Sequence, residues 1–360
     1  MKILTVVGAR PQFIKAAVVS EKMRSRTGLV EVLVHTGQHY DDSMSKIFFE
    51  QLGLAEPTYN LGVGSASHGA QTGRMLEALE SVLMAEKPDW VLVYGDTNST
   101  LAGALAAAKL GLPLAHVEAG LRSYQRAMPE EINRVVTDRI SDLLFAPTEA
   151  ALRNLKSEGV DEKKLRLVGD VMFDAALRYV EHSSVEPLMD RHGLREKNFV
   201  LLTLHRAENT DSRARLSAIV EGLCEVARMT KVLFPVHPRT KAALDRNGLL
   251  DRVTAATICV DPLGYIDMLG LERAASVVVT DSGGVQKEAF FFGTPCLILR
   301  PTTEWVELLE LDCARLCEPD GLADAVGNPP QPQKATAQRL FGGGAASRRI
   351  VDSILNARVA

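Results

Sequence analysis

Residues 276–292 read SVVVTDSGGVQKEAFFF, an apolar run followed by a glycine turn and an amphipathic segment. The apolar run 276–280 predicts a buried strand, and the turn at Gly283 and Gly284 leads into a predicted helix over 284–292. A strand, a tight turn and a helix in this order form the repeating unit of a parallel α/β sheet. This stretch therefore predicts an α/β fold.

The same order of elements recurs along the chain. In the first half, apolar runs predict strands at 3–7, 31–35, 90–94, 113–117 and 143–146. Between them, helical spacing predicts helices over 12–25, 68–86, 99–110 and 130–141. In the second half, strands are predicted at 199–204, 232–236, 257–260, 276–280 and 295–299. The helices predicted there cover 213–229, 240–247, 264–273 and 284–292. Nearly continuous apolar strands that alternate with helices are typical of parallel sheets covered on both faces.

The restart of the pattern in the second half predicts two domains. A length of 360 residues fits this number at about 150 residues per domain. We place the first domain at 1–168 and the second at 169–345, with a final amphipathic helix over 346–358. The polar stretch 181–198 is the most linker-like segment in the middle of the chain. The fold class is α/β, with two Rossmann-like doubly wound domains and an active-site cleft between them.

Composition excludes several classes of protein. Hydrophobic residues make up 46% and charged residues 24%, which excludes a disordered chain or a collagen. A net charge of −4 provides no basic excess for binding nucleic acid. The first apolar run is too short to span a membrane, so we expect no membrane anchor. The five cysteines lack metal-type spacing, which predicts no metal site and fits a reducing cytoplasm.

Charged residues follow the predicted strands of the first half, where ligands bind in parallel sheets. Arg10 and Lys15 come near a helix start after the first strand, a position that favours anions. Asp96, Glu118 and Glu130 follow later sheet elements. Asp96 as a helix cap and Glu130 as a first-turn acid are the structural alternatives. Carboxylates that lie close together raise one another's pKa, so as a cluster they can supply both an acid and a base.

Polar residues that suit an anion follow the strands of the second half. Ser282, Gly283 and Gly284 offer a hydroxyl and backbone N–H groups at a helix start, which predicts a diphosphate site. Glu288 lies about a turn and a half further on, within reach of a ribose diol. The other polar residues at strand ends are His205, Arg206 and His237. The structural alternatives are a capped helix and packed histidines. Taken together, the anion site of the second half and the carboxylates of the first half favour the binding of a nucleotide-sugar.

Several motifs resemble one known family. In order, the chain contains GARPQFIK, HTGQHYD, VYGDTNST, HVEAGLRS, MPEEINR, TLHRAEN, HPR, TDSGGVQKEA and TTEWVE. This set resembles the non-hydrolysing UDP-N-acetylglucosamine 2-epimerases over essentially the whole chain. The variants QKEAFFFG and TEWVEL are most similar to a subgroup that includes UDP-2,3-diacetamido-2,3-dideoxyglucuronate 2-epimerases. The resemblance implies a glycosyltransferase-B type fold whose last helix packs back onto the first domain.

The resemblance also implies a mechanism without cofactor or metal. A base removes the C2 proton while UDP leaves, and UDP then adds back to the glycal with inversion at C2. The acid/base roles fall to Asp96, Glu118 and Glu130, and Lys15 and His205 complete the catalytic set. Binding of the UDP-sugar is expected from Arg10, Arg206, His237, Ser282, Gly283, Gly284 and Glu288. A cytoplasmic homodimer is also expected.

Two departures from the family pattern affect what can be carried over. Many relatives have an arginine where this chain has Trp305, so the contact of that arginine is absent. Bacterial relatives often have an arginine at Tyr40, near a motif where some bind UDP-N-acetylglucosamine as an allosteric activator. The residues that would keep such a site are Gln38, His39, Gln71 and Arg74.

Other functions remain alternatives on the sequence alone. A diacetamido-glucuronate substrate would need an extra cation for its carboxylate, and Arg122 or Arg126 is the candidate. A glycosyltransferase of the same fold would share the diphosphate site but would also need an acceptor. A hydrolysing epimerase would release free sugar, and a nucleotide-sugar sensor would have no use for the acidic cluster.

Overall fold

The computed structural model describes residues 1–38, 49, 51–303, 305–333, 336 and 339–357. These residues form two compact units, one made of 1–178 with the returning C-terminal segment from 339, and the other of 179–338. Each unit contains one parallel sheet. Two Rossmann-like, doubly wound α/β units confirm the predicted fold class.

The first unit is built on a sheet of apolar strands. Its strands are β1 (Lys2–Val7), β2 (Val30–His35), β3 (Tyr59–Asn60), β4 (Trp90–Tyr94), β5 (Leu114–Val117), β6 (Leu143–Ala146) and β7 (Leu165–Leu167). Its helices are α1 (Arg10–Arg24), α2 (His68–Glu86), α3 (Asn98–Lys109), α4 (Pro129–Ile140), α5 (Glu149–Ser157) and α6 (Val171–Tyr179). The strand order is β3-β2-β1-β4-β5-β6-β7, with every pair parallel. Residues such as Leu4, Val6, Val91 and Val93 have no exposed surface, because both faces of this sheet are covered.

The second unit repeats this design. Its strands are β8 (Phe199–Thr203), β9 (Lys231–Pro235), β10 (Ile258–Val260), β11 (Val277–Thr280), β12 (Cys296–Ile298) and β13 (Ala314–Leu316), in the order β10-β9-β8-β11-β12-β13. The helices α7 to α11 are Glu186–Arg191, Ala207–Thr210, Arg213–Met229, Pro238–Arg246 and Leu250–Ala256. The helices α12 to α15 are Tyr265–Ala274, Gly283–Phe291, Val306–Glu310 and Leu322–Gly327.

The segment 169–178 belongs to the first unit, ten residues beyond the boundary placed from sequence. The reason lies in its bonds to the C-terminal segment, which ends in α16 (Ala346–Asn356). The Asp174 carboxylate accepts hydrogen bonds from the backbone N–H groups of Ala346 (3.1 Å) and Ser347 (2.8 Å), and so caps α16. The Asp170 N–H donates to the Phe341 carbonyl at 3.1 Å. Helix α16 packs against α1 within the same unit.

Each sheet has one point where the strand order reverses. In the first sheet this point lies between β1 and β4, and in the second it lies between β8 and β11. Loops that leave adjacent strands at such a point separate, and the crevice between them is where open α/β sheets bind ligands. Among the described residues, none of the helices combines the length and the apolar character needed to cross a membrane.

Candidate active site

Lys15 and Glu118 form a nearly buried ion pair beside the reversal point of the first sheet. Lys15 lies in α1 after β1, and Glu118 follows β5, and each side chain is only 10% exposed. Glu118 has a positive φ of 72°, an uncommon conformation for a residue with a side chain. Gly95, which follows β4, lies against the pair: a Cβ there would be 3.3 Å from Glu118 Oε2 and 3.4 Å from Lys15 Nζ.

Asp96 lies next to this pair and forms its own ion pair with Arg134 of α4. Burial raises the pKa of Asp96 above the usual carboxyl value, while the charges of Arg134 and Lys15 act in the opposite direction. The Asp96 carbonyl accepts a hydrogen bond from Asn133 Nδ2 at 2.9 Å, which fixes the backbone of this loop. The structure thus brings Lys15, Asp96 and Glu118 together, as expected for groups that exchange a proton.

Glu130 does not join this cluster in the structure. It is exposed at the start of α4, and no described residue bonds to its carboxylate. Its neighbour Glu131 is buried and accepts hydrogen bonds from the N–H groups of Ser123 (2.9 Å) and Tyr124 (3.0 Å). Glu131 also pairs with Arg134 at 3.1 Å. Glu131, Asn133 and Arg134 are not among the residues predicted from the sequence, although the spacing along MPEEINR places Glu131 and Arg134 on one helical face.

Arg10 lies exposed at the first position of α1. The Gln12 side chain satisfies the start of this helix by accepting hydrogen bonds from the N–H groups of Gly8 (2.8 Å) and Ala9 (3.1 Å). Arg10 therefore stands at a helix N-terminus after β1, where an anion is favoured.

In the second unit, Asp281 joins the ends of β8 and β11. It is fully buried and accepts hydrogen bonds from the backbone N–H groups of His205 (3.1 Å to each oxygen) and Arg206 (2.9 Å). Asn209 Nδ2 donates to it at 3.0 Å. Sequence analysis gave Asp281 no role, but its position directly after a buried strand was the signal that could have identified it.

His205 lies above this carboxylate with its ring partly exposed. Its Nδ1 is 3.5 Å from Asp281 Oδ1, and its ring centre is 5.9 Å from that of His237. Burial lowers the pKa of His205 below the usual imidazole value; nearby positive groups add to this effect, and Asp281 opposes it. His237 precedes α10 and accepts a hydrogen bond from the Arg239 N–H at 3.2 Å on Nδ1. The structure therefore brings His205, Arg206 and His237 to one edge of the sheet.

Ser282, Gly284 and Glu288 also meet at this edge, at the start of α13. Ser282 precedes the helix, and its side chain makes no capping hydrogen bond. Gly284 is exposed, and a Cβ there would lie 3.9 Å from Ser282 Oγ and 4.0 Å from Glu288 Oε2. Gly283 is buried in the first turn. A hydroxyl, a helix N-terminus and a carboxylate therefore lie side by side here, and these are groups that can bind a nucleoside diphosphate.

Trp305 and Lys287 form a buried contact at the position where relatives have an arginine. The Lys287 ammonium lies 3.9 Å from the centre of the Trp305 ring, and both residues are almost fully buried. Thr303 Oγ1 donates to Gln286 Oε1 at 2.6 Å and accepts from the Trp305 N–H at 3.2 Å. The chain therefore places a cation–π contact here instead of a free guanidinium.

Arg122 cannot serve a substrate carboxylate, because its buried guanidinium bonds Glu158 through Nε and Nη2, both at 2.7 Å.

The residues considered for a second UDP-sugar site are partly described. Gln38 Oε1 accepts from the Ser99 N–H at 3.0 Å, Gln71 is buried and Arg74 is exposed. His39 and Tyr40 lie outside the described residues.

Known proteins are similar to this chain over nearly its whole length. The family model described as UDP-N-acetylglucosamine 2-epimerase matches residues 21–355. The UDP-2,3-diacetamido-2,3-dideoxy-D-glucuronate 2-epimerase of Pseudomonas aeruginosa is 50% identical over 98% of this chain and 99% of its own length. The UDP-N-acetylglucosamine 2-epimerase of Methanococcus maripaludis is 45% identical over 90% of each chain. The crystal structure of the Methanocaldococcus jannaschii enzyme with UDP-GlcNAc and UDP is similar with a TM-score of 0.84 and 42% identity, covering 99% of this chain and 100% of that one.

Proposed function

Because the chain belongs to the UDP-N-acetylglucosamine 2-epimerase family, we propose that it interconverts UDP-N-acetylglucosamine and UDP-N-acetylmannosamine without hydrolysis. The cluster of Lys15, Asp96, Glu118 and Arg134 beside the reversal point of the first sheet is the main support for this activity. Acids and cations in one place can remove a proton and stabilise the charge that results.

In the proposed reaction, a carboxylate removes the C2 proton while UDP leaves by cleavage of the bond between C1 and oxygen. The products of this step are a glycal and UDP, and UDP then adds back while a proton reaches the opposite face of C2. Asp96 and Glu118, which pairs with Lys15, take the acid and base roles. Glu130, which lies outside this cluster in the structure, stays the third candidate acid from the sequence. The scheme needs neither a redox cofactor nor a metal.

The C2 proton is only weakly acidic, so stabilisation of the leaving group must supply much of the rate enhancement. We assign this task to the N–H groups of Gly283 and Gly284 with the Ser282 hydroxyl at the start of α13, and to Arg10. Glu288 accepts the ribose hydroxyls. Contacts to the phosphates fall to His205, Arg206 and His237.

The diacetamido-glucuronate sugar is a second candidate substrate. The observation that favours it is the 50% identity to an enzyme named for that substrate. Since Arg122 is already bound by carboxylates, Arg126, which is exposed, remains the cation proposed from sequence for its carboxylate. The reaction at C2 is the same for both sugars.

Parallel assays with the two UDP-sugars, without any acceptor, test this proposal. We expect the manno isomer of one sugar to accumulate to equilibrium, with UDP-N-acetylglucosamine as the preferred substrate. Accumulation of free sugar would instead identify a hydrolysing enzyme, and absence of turnover without an acceptor would favour a glycosyltransferase. Exclusive turnover of the diacetamido sugar would replace the first candidate with the second.

Three variants test the proposed site in the same assay. Asp96→Asn, Glu118→Gln and His205→Ala should each lose activity by about 100-fold or more while they remain folded. Glu80→Gln, an exposed acid on α2, is the matched control and should keep full activity. Near-normal turnover by all three variants would show that the site lies elsewhere.

We further propose a homodimer, regulation by UDP-N-acetylglucosamine and a cytoplasmic location. All five cysteines are free, which is usual in a reducing compartment. Light scattering gives the mass in solution. Turnover of UDP-N-acetylmannosamine that rises when a small amount of UDP-N-acetylglucosamine is added would support regulation, and a rate that does not rise would contradict it.

A further inference from the structure

His116 in β5 is completely buried, and both of its ring nitrogens face oxygen atoms. Nδ1 lies 2.7 Å from Asp138 Oδ1, and Nε2 lies 2.7 Å from the Gly95 carbonyl oxygen. A carbonyl can only accept a hydrogen bond, so Nε2 must bear a proton. This bond ties the ring to the loop that follows β4, while Nδ1 ties it to α4.

The surroundings of Asp138 keep its carboxyl ionised. Burial alone would raise the pKa of Asp138, but the hydrogen bonds and charges of His116 and Arg122 outweigh burial and hold the pKa below its usual value. Its Oδ2 accepts from the Gly120 N–H at 3.1 Å and lies 2.7 Å from Arg122 Nη1. Asp138 therefore accepts on both oxygens, and its Oδ1 is the atom that faces Nδ1 of His116.

The pair of His116 and Asp138 bonds to the two loops that bear the proposed acids. Gly95 immediately precedes Asp96, and its own Cα faces the pair of Lys15 and Glu118. Gly120 follows Glu118 by two residues and has a φ of 82°, and a Cβ there would lie 2.3 Å from the Ala151 carbonyl. His116 therefore fixes the first loop and Asp138 the second.

Glu118 needs such support because its backbone is strained. A residue with a side chain is unfavourable at φ 72°, so surrounding bonds must hold it there. The N–H groups of Glu118 and Ala119 share the Phe145 carbonyl, each at 3.1 Å. The Gly120 N–H bond to Asp138 is the next bond along the chain.

We propose that His116 and Asp138 form a hydrogen-bonded positioning pair that sets the spacing between Asp96 and Glu118, an inference that rests on the proposed function. The charged groups around the pair are Arg122 after β5, Glu158 after α5, Asp96 after β4, and Lys15 with Glu118. Neither His116 nor Asp138 touches the substrate. Their contribution is to hold two backbone loops in the geometry that proton transfer requires.

Nitrogen NMR of protein with labelled histidine tests the two hydrogen bonds of His116 directly. At pH 7 the ring-nitrogen signals of His116, assigned by their loss in His116→Gln, should be shifted by hydrogen bonding and should change in Asp138→Asn. Signals of His116 that match an exposed imidazole and do not change in Asp138→Asn would overturn the proposal. This readout does not depend on turnover, so it stands even if neither UDP-sugar is a substrate.

Kinetics test the positioning role. Asp138→Asn should lower kcat by about 10- to 100-fold, as expected for a small displacement of reacting groups, with little change in KM for the UDP-sugar. The matched control is Asp142→Asn, which removes the carboxylate bonded to the Leu114 N–H (3.1 Å) at the opposite end of β5. We expect Asp142→Asn to keep its kcat even if its Tm falls.

His116→Gln is the second variant, because its amide can still donate to the Gly95 carbonyl. It should retain more activity than His116→Leu, which has no donor. If folded Asp138→Asn turns over at the wild-type rate, or if His116→Leu equals His116→Gln, the pair has no positioning role and the inference is wrong. If the wild type is active and the variants give either of these results, only the positioning role is refuted and the proposed function stands.

Discussion

At Asp96, burial and charge act on one carboxyl in opposite directions. Burial raises its pKa, and the ion pair with Arg134 acts to lower it. Because parallel strands end at the same edge of a sheet, the sequence predicts that Asp96, Glu118 and Lys15 lie close together. The position of the strands does not predict that Arg134 and Asp138 lie nearby. Both residues belong to α4, and the direction of their side chains depends on how that helix packs.

The pH dependence of the reaction should respond to Arg134. In Arg134→Gln the pKa of Asp96 rises further, so Asp96 loses its proton only at a higher pH. If ionised Asp96 is the form that reacts, the acid limb of kcat/KM moves upward by about one pH unit.

Arg139→Gln is the control for this experiment, because Arg139 is an exposed cation in the last turn of the same helix. It should leave the profile unchanged. An acid limb that does not move in Arg134→Gln would show that Asp96 is not the group titrating.

At the scale of elements, the sequence predicts the central strands and the long helices well. Helix α2 and helix α9 begin and end where their apolar periodicity does. The sequence analysis missed the short strands β3, β7 and β13, which have only two or three residues and lie at the sheet edges. It also read 181–198 as a linker, although α7 lies within it. Such short elements depend on tertiary contacts more than on local pattern.

The start of α13 provides a test at this scale. Gly284→Ala adds a methyl group in ordinary contact with Ser282 and Glu288, in the space proposed for the diphosphate. Alanine favours a helix by about 0.8–1.0 kcal/mol over glycine, so Tm should rise slightly. UDP affinity should fall by about tenfold or more, and calorimetric titration with UDP measures it.

Gly69→Ala is the matched control, because Gly69 holds the same second position in α2 and has open space around it. It should leave UDP affinity unchanged. If Gly284→Ala binds UDP as tightly as the wild type, the diphosphate does not bind at the start of α13.

At the scale of the whole molecule, each unit has its own sheet and its own buried core. Two α/β domains follow from the repeated pattern of the sequence. The addition of 169–178 to the first unit does not follow from this pattern. It depends on bonds from Asp170 and Asp174 to residues far along the chain. The local sequence pattern around 170 does not indicate which distant residues will form these hydrogen bonds.

Stability against pH should depend on Glu272 of α12. This side chain is fully buried, and neither carboxyl oxygen has a hydrogen-bond partner among the described residues. Burial, followed by the charge of Glu288, raises the pKa of Glu272 well above its usual value. The folded state therefore keeps a proton that the unfolded chain releases. The free energy of unfolding falls as pH rises between the two pKa values, by up to about 1.4 kcal/mol per pH unit.

Glu272→Gln removes this titration while it keeps the shape of the side chain. Its free energy of unfolding should exceed that of the wild type at pH 8, and the difference should shrink toward pH 5, as denaturant titration can measure. Glu225→Gln, on the exposed face of α9, should have the same free energy of unfolding as the wild type at pH 8 and at pH 5. Equal pH dependence in Glu272→Gln and the wild type would mean that Glu272 is not protonated in the folded state.

The most direct test of the reaction is proton NMR of the purified protein with its UDP-sugar in heavy water. Removal and return of the C2 proton predicts that the manno product carries deuterium at C2, with no free sugar released. Product that retains the original hydrogen at C2 would contradict proton abstraction by the cluster around Asp96 and Glu118.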